Sequence, residues 1–167
     1  MDTERRPATP AEARALAHPL RLRILRLCLD TSLTNRELAD RLGQDPATVL
    51  HHVRTLVRTG FLAADAERRG RRGAREIPYR STGKSWTLDI GSVGDGATIA
   101  MHDAVRDELL EAGPDARLTG VRLAVRLDQA RFEELGRRLQ ELIADVHAWD
   151  TEGETPIALY LVAHRRT

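Results

Sequence analysis

Residues 34–60 constrain this chain more than any other stretch, because two short amphipathic helices are joined there by too few residues for anything but a sharp turn. Asp45 can cap a helix and Pro46 fits its first turn, where a missing N–H costs nothing. Val49, Val53 and Leu56 recur at i, i+4 and i+7, giving one buried stripe, and Gly60 then stops the helix. The opposite face offers Ala47, Thr48, Leu50, His51, Arg54 and Arg58, short at the start and basic towards the end. Such a surface can lie in a DNA major groove.

The preceding segment, Thr34 to Leu42, carries a capping box in Thr34 and Glu37, then Leu38, Ala39 and Leu42 at helical spacing. Gly43 ends it, and only Gln44 and Asp45 follow before the next helix, which is the helix-turn-helix spacing. Thr34 and Asn35, at the start of this helix, join the DNA-facing set. After Gly60, Phe61 to Ala64 and Ile77 to Ser81 read as two strands around the loop Glu67 to Arg75. That loop holds Arg68, Arg69, Arg71, Arg72 and Arg75 with two glycines, a density that repels itself without a polyanion, so phosphate contact explains it. The bland alternative is a solvated loop. Pro78 lacks a ladder donor and predicts an edge strand.

Taken together, Ala17-His18-Pro19-Leu20-Arg21-Leu22-Arg23-Ile24-Leu25, Asn35-Arg36-Glu37-Leu38-Ala39, Thr48-Val49-Leu50-His51-His52-Val53 through Leu56, and Gly60-Phe61-Leu62 resemble the ArsR family of winged-helix transcriptional repressors. Leu50 stands where that family carries a serine. The resemblance implies a homodimer in which the first helix joins a later one, and steric repression at a promoter. Many ArsR-like proteins sense metals, yet the helix around Glu37 to Leu42 has no cysteine. The later helix has adjacent His102 and Asp103 but no second histidine further along, so neither a metal nor another cofactor is expected.

In chain order, the residues ahead of Thr9 read as a disordered tail. Thr9 and Glu12 make a second capping box with Pro10 at the first helical position, and Pro19 opens another helix with Leu20, Ile24 and Leu27 inward. Trp86 to Ile90 alternates like a strand. Gly91 to Gly94 breaks the pattern, and a helix from Asp95 to about Ala112 follows, with Met101, Val105, Leu109 and Ala112 on one side. Val121 to Leu127 and Ile157 to Ala163 read as strands flanking a helix capped by Asp128, with Phe132, Leu135, Leu139, Leu142, Ile143 and Val146 as its stripe. The expected fold is α+β: a winged helix-turn-helix domain over 1–90, a linker and dimerisation helix over 91–116, and a βαβ unit over 117–167.

Charge supports that division. Residues 1–86 carry 17 Arg or Lys against 10 Asp or Glu, a net +7, while the remainder carries 9 against 15, a net −6. A basic half suits nucleic acid and an acidic half faces something else. No run approaches the roughly 18 apolar residues of a membrane helix, and the N-terminus lacks a signal-peptide core, so a cytoplasmic protein without a membrane partner is expected. Cys28 is the only cysteine and reads as a buried thiol; an intermolecular bridge is the other reading. Among the histidines, His51 faces outward, His52 lies on the inner edge of its helix, His18 packs at a helix junction, and His147 and His164 are placed on the surface. Gly83-Lys84-Ser85 is not a P-loop, since Pro78 stands where its first glycine belongs, and no triad or carboxylate pair has interpretable spacing.

The sequence therefore reads as a sequence-specific regulator of double-stranded DNA and not an enzyme, a homodimeric repressor on a near-palindromic operator. The alternative is a winged-helix interaction module, an anti-regulator that does not read DNA. A small enzyme has only the C-terminal unit in its favour. That unit enlarges the dimer interface or binds an unidentified small-molecule effector.

Overall fold

A computed structural model describes residues 6–70, 75–89, 95–116, 123–151 and 154–163. The chain divides into two compact units, Met1–Ala116 and Arg117–Thr167.

The first unit is built on four short helices. Pro10–Leu16 (α1) begins at the Thr9/Glu12 capping box, with both of its reciprocal hydrogen bonds formed, and Pro19–Leu27 (α2) begins at His18. Asn35–Leu42 (α3) has the same box in Thr34 and Glu37 and ends on Gly43, whose φ of +61° is the left-handed cap that glycine adopts without a Cβ clash. Pro46–Arg58 (α4) starts at Asp45, whose carboxylate accepts the N–H groups of Ala47 at 2.8 Å and Thr48 at 3.2 Å. Leu16, Ile24, Cys28, Leu38, Val49, Val53, Leu56, Phe61, Leu62 and Leu88 form one fully buried core. Burial pushes the Cys28 thiol up to about 11, so it behaves as a small apolar side chain rather than a nucleophile.

The sheet has three strands where the sequence announced two. Leu33–Thr34 (β2) pairs antiparallel with Pro78–Ser81 (β6), which also pairs with Leu62–Ala64 (β3), so β6 lies in the centre. The edge position expected from Pro78 is corrected accordingly. Pro78 is the first residue of its strand, where the absent donor breaks no interior ladder, and its carbonyl still accepts the Asp65 N–H at 2.9 Å. Beyond the sheet, Arg68–Arg69 (β4) and Arg75–Glu76 (β5) continue the hairpin as a narrow wing, in register Arg68 to Glu76 and Arg69 to Arg75.

Two further expectations change. The strand over 86–90 is reduced to Leu88–Asp89 (β7), because Lys84–Thr87 forms a 3₁₀ turn; Ile90 lies outside the described residues. The expected disordered tail is corrected at its described end, where Arg6–Pro7 (β1) pairs in parallel with β7. Both follow from one carboxylate. Glu12 is 6% exposed and accepts Arg6 at 2.6 and 3.0 Å, the Thr9 N–H at 2.8 Å and Lys84 Nζ at 2.8 Å. These partners hold its carboxyl well below the usual range, the Arg6 guanidinium foremost. Lys84 also donates to the Thr59 carbonyl at 2.6 Å and lies 5.1 Å from the Phe61 ring centroid. One ammonium thus joins α1, the end of α4 and the chain leaving the sheet.

Asp95–Ala112 (α5) packs on α2 and α1. It buries a face of Ala97, Ala100 and Ala104 and leaves Ile99, Leu109 and Leu110 exposed; of the set expected on one side, Met101 and Val105 are half-buried and Leu109 and Ala112 face solvent. Small side chains win that face because they let the helix approach closely; a Cβ on Gly96 would already sit 3.6 Å from that of Ala17.

In the second unit the βαβ reading is corrected as well. Its helix Gln129–Ala148 (α6) forms, with Asp128 accepting the Arg131 N–H at 2.8 Å, but residues 123–128 and 154–163 contain no strand. Val121 and His164 lie outside the described residues. Alternation gives each segment an apolar face, yet a strand persists only against a ladder partner, and two strands alone are marginal. Leu123, Val125, Phe132, Leu142, Ile157 and Leu159 are consequently exposed.

Replacing Lys84 by Met should lower the unfolding free energy by about 2 kcal/mol, since the buried Glu12 loses a partner. Lys84→Arg should not restore it, because a planar fork does not replace a compact ammonium under Gly60. Urea denaturation followed by circular dichroism reads both, and an unchanged Lys84→Met midpoint would refute the keystone role.

Candidate nucleic-acid interface

The α3–turn–α4 geometry is fixed by few contacts. The Gln44 N–H reaches back to the Ala39 carbonyl at 3.0 Å beyond the left-handed Gly43, and Asn35 Nδ2 donates to the Pro46 carbonyl at 2.9 Å. Asn35 therefore ties the N-terminus of one helix to that of the next, and its Oδ1 is buried without a hydrogen-bond partner among the described residues. Thr34 is 4% exposed, and its hydroxyl donates to Glu37 Oε2 at 2.9 Å. The DNA-facing place expected for Thr34 is thus corrected: its position under the capping box commits the side chain to α3.

On α4, Val49, His52, Val53 and Leu56 turn inward, while Ala47, Thr48, His51, Arg54 and Arg58 are exposed and Leu50 is half-buried. Spacings of three and four residues put the exposed set on one face. Arg54 and Arg58 have no carboxylate partner among the described residues, so this face is an uncompensated cationic surface. Helix-turn-helix geometry can present such a surface to a phosphate-lined groove.

The wing arginines divide. Arg69 is exposed with no carboxylate partner among the described residues. Arg68 is engaged: its Nη2 lies 2.6 Å from both carboxylate oxygens of Glu37 and its Nε 3.9 Å from Glu76. Arg75 pairs with Glu67, and Arg71 and Arg72 lie outside the described residues. Both partners of the Arg68–Glu37 bridge are more than two-fifths exposed, so the pair contributes little stability and leaves the guanidinium exchangeable. Its structural role is to dock the wing root on α3. Glu37 is held below the usual carboxylate range first by the Thr34 N–H, then by the Thr34 hydroxyl and Arg68.

A cluster the sequence indicated only in part lies behind α4. The His18 and His52 rings stand 4.4 Å apart, and His51 meets His52 edge-on at 5.5 Å. Arg21 places Nη1 3.4 Å from His52 Nδ1, and His18 Nδ1 accepts the Leu20 N–H at 3.2 Å. Burial first, then His18, Arg21 and His51, lower the His52 pKa from its ordinary 6.5 to about 4. The ring therefore packs as a neutral base. Among the described residues no three His, Cys, Asp or Glu side chains are grouped to hold a metal ion, and no helix is long and apolar enough to cross a membrane.

Residues 16–63 match the family model described as a helix-turn-helix domain. The chain carries a winged helix-turn-helix domain. The match begins in α1 and ends on β3, covering both helices of the motif. No curated protein is similar at a significant level. Among solved structures, reduced HlyU from Vibrio cholerae is 22% identical over 55% of this chain and 80% of its own, with a TM-score of 0.37. The adhesin competence repressor AdcR from Streptococcus pyogenes is 17% identical over 76% and 78%, TM-score 0.34. MepR, a transcription regulator of the Staphylococcus aureus multidrug efflux pump MepA, is 15% identical over 84% and 80%, TM-score 0.30.

Within the helix-turn-helix, sequence spacing located the exposed face of α4, whereas Asn35, expected to face DNA, has its amide committed to the Pro46 carbonyl. It missed Lys84 and the Arg21 contacts, although Lys84 stands out as the sole lysine beside 25 arginines.

The neutral His52 makes the domain acid-sensitive in a defined window. Unfolded, the imidazole takes its proton near pH 6.5; folded, it resists to about pH 4, so stability is full above 6.5 and falls as pH drops between the two. A loss of about 2 kcal/mol from pH 7 to 4.5 is expected. Urea midpoints across that range should fall steeply for wild type and less for His52→Gln; parallel profiles would show that His52 does not carry the effect.

Proposed function

We propose that this chain is a homodimeric, sequence-specific transcriptional repressor of ArsR-like type, which binds double-stranded DNA and reads a near-palindromic operator with α4 in the major groove. The observation that carries the reading is the exposed α4 face, in which Thr48, His51, Arg54 and Arg58 share one side and neither arginine has a carboxylate partner among the described residues. Thr48, Leu50, His51 and Arg54 meet base edges, Leu50 through thymine methyl groups, and Ala47 allows close approach. Arg58, Arg69, Arg71 and Arg72 hold phosphates, and Arg68 and Arg75 exchange Glu37 and Glu67 for phosphate on binding.

Dimerisation uses α5 and the second unit. Ile99, Leu109 and Leu110 are apolar side chains that a lone protomer leaves in water, as are those of the second unit. A twofold pair would set two α4 helices about 34 Å apart. Repression needs only occupancy of the operator. The same apolar surface of the second unit is where a small-molecule effector could act, and a ligand that moves the two α4 helices apart would release DNA.

Selection of duplexes from a random pool should enrich a two-half-site motif, and Arg68/Arg69/Arg71/Arg72→Ala should reduce the salt slope by about one per lost phosphate contact. Weak binding with no enrichment would favour the protein-interaction alternative. Separately, Leu109→Glu/Leu110→Glu should convert a dimer to a monomer in analytical ultracentrifugation while circular dichroism stays unchanged; a dimer that survives would move the interface away from α5.

A further inference from the structure

A cleft of about 400 Å³ opens between α1 and the C-terminal half of α4, lined by Ala11, Arg14, Ala15 and Arg21 on one side and Thr55, Arg58 and Thr59 on the other. Three guanidinium groups line it and no carboxylate does. The acid nearest in sequence, Glu12, is turned to Arg6, Thr9 and Lys84. Arg21 directs each of its three nitrogens at a neutral group, so its charge is not balanced: Nη2 donates to the Arg14 carbonyl at 2.6 Å, Nε donates to the Ala15 carbonyl, and Nη1 faces the neutral His52. Its role is to cap α1, and its positive charge remains. Arg14 and Arg58 are exposed at the mouth and have no ion-pair partner among the described residues.

The floor is made of alanines, which leaves room above the backbone. The two threonine hydroxyls donate inward along α4, Thr55 to the His51 carbonyl at 3.2 Å and Thr59 to the Thr55 carbonyl at 2.8 Å. Both hydroxyl protons are thus engaged within α4, so recognition of a ligand in the cleft falls to the guanidinium groups. A cation would meet three like charges; a hydrocarbon would leave guanidinium groups desolvated and unpaired. An oxyanion with several acceptors, held by Arg14 and Arg58 in fork geometry over the fixed charge of Arg21, meets neither cost.

We propose that this cleft binds a phosphate group. The group has two sources with the same chemistry: the backbone of a bound duplex, or a free phosphorylated small molecule that would join α1 to α4 and so couple the two. Only the first source rests on the DNA-binding reading above.

The test uses the full chain with Arg14→Ala, Arg58→Ala and the double variant, leaving Arg21 in place because it caps α1. Pyrophosphate and inorganic phosphate are titrated against sodium chloride of matched ionic strength, with melting temperature as the readout. Duplex affinity is measured in parallel as a function of salt. A free-ligand site predicts a rise of about 3 °C in wild type that both single variants diminish and the double variant abolishes. A duplex site predicts no such rise, but a salt slope lower by about one in Arg14→Ala, a residue outside α4 and the wing. If the chain binds no duplex, the DNA-binding reading fails while the pyrophosphate titration still decides the cleft. No rise with either anion, together with an unchanged salt slope or no duplex binding, overturns the proposal.

Discussion

The fold of the first unit depends on a single carboxylate held in place by cations. Glu12 lies almost wholly out of water, and a buried carboxylate without partners would cost several kcal/mol or take up a proton. Here Arg6, the Thr9 N–H and Lys84 meet it from three sides, all within 3.0 Å. The arrangement is also what gathers the chain. Arg6 belongs to the N-terminal strand, Glu12 to α1, and Lys84 to the turn that leaves the sheet and donates to the Thr59 carbonyl. α4, whose outward face is the candidate interface, is thereby anchored at its C-terminal end to elements far away in sequence.

At its other end α4 is placed by local chemistry. Asp45 and Pro46 start it, Gly43 turns the chain into it, and Asn35 links it to α3. Glu37 serves two functions there. Its carboxylate completes the capping box with Thr34 and receives Arg68 from the wing, so the residue that starts α3 also sets where the wing begins. A salt bridge this exposed is cheap to open, and a phosphate offers Arg68 equivalent anionic acceptors. Protein contacts therefore place the wing, and in the proposed complex nucleic acid would take over from them.

The second unit follows a different rule. Its helix carries a well-defined amphipathic pattern, but the described residues of the unit leave Phe132 and Leu142 of that stripe exposed. Flanking segments with strand-like alternation stay unpaired for the same reason: an isolated segment has no ladder to join. In the first unit β1 and β2, each only two residues long, do form, because β7 and β6 are already fixed beside them. Pairing is decided by the neighbour available, and the pattern of the segment only permits it.

How much was legible in the sequence follows from this. Both capping boxes, the Asp45 cap, the glycine stop at Gly43 and the apolar stripe Val49, Val53, Leu56 were readable, as was the outward set on α4, because each rests on interactions within one turn or on helical period. The buried place of Thr34, the central position of β6, the alanine face of α5 and the charge-pairing of Arg68 were not, since each depends on what a distant segment brings. Sequence alone thus determined the helices and, for α3 and α4, which face each one offers, through local hydrogen bonding and periodicity. Tertiary structure alone decided which strands exist, which arginines have protein partners and why the one lysine stands at position 84, because those outcomes belong to contacts between residues tens of positions apart.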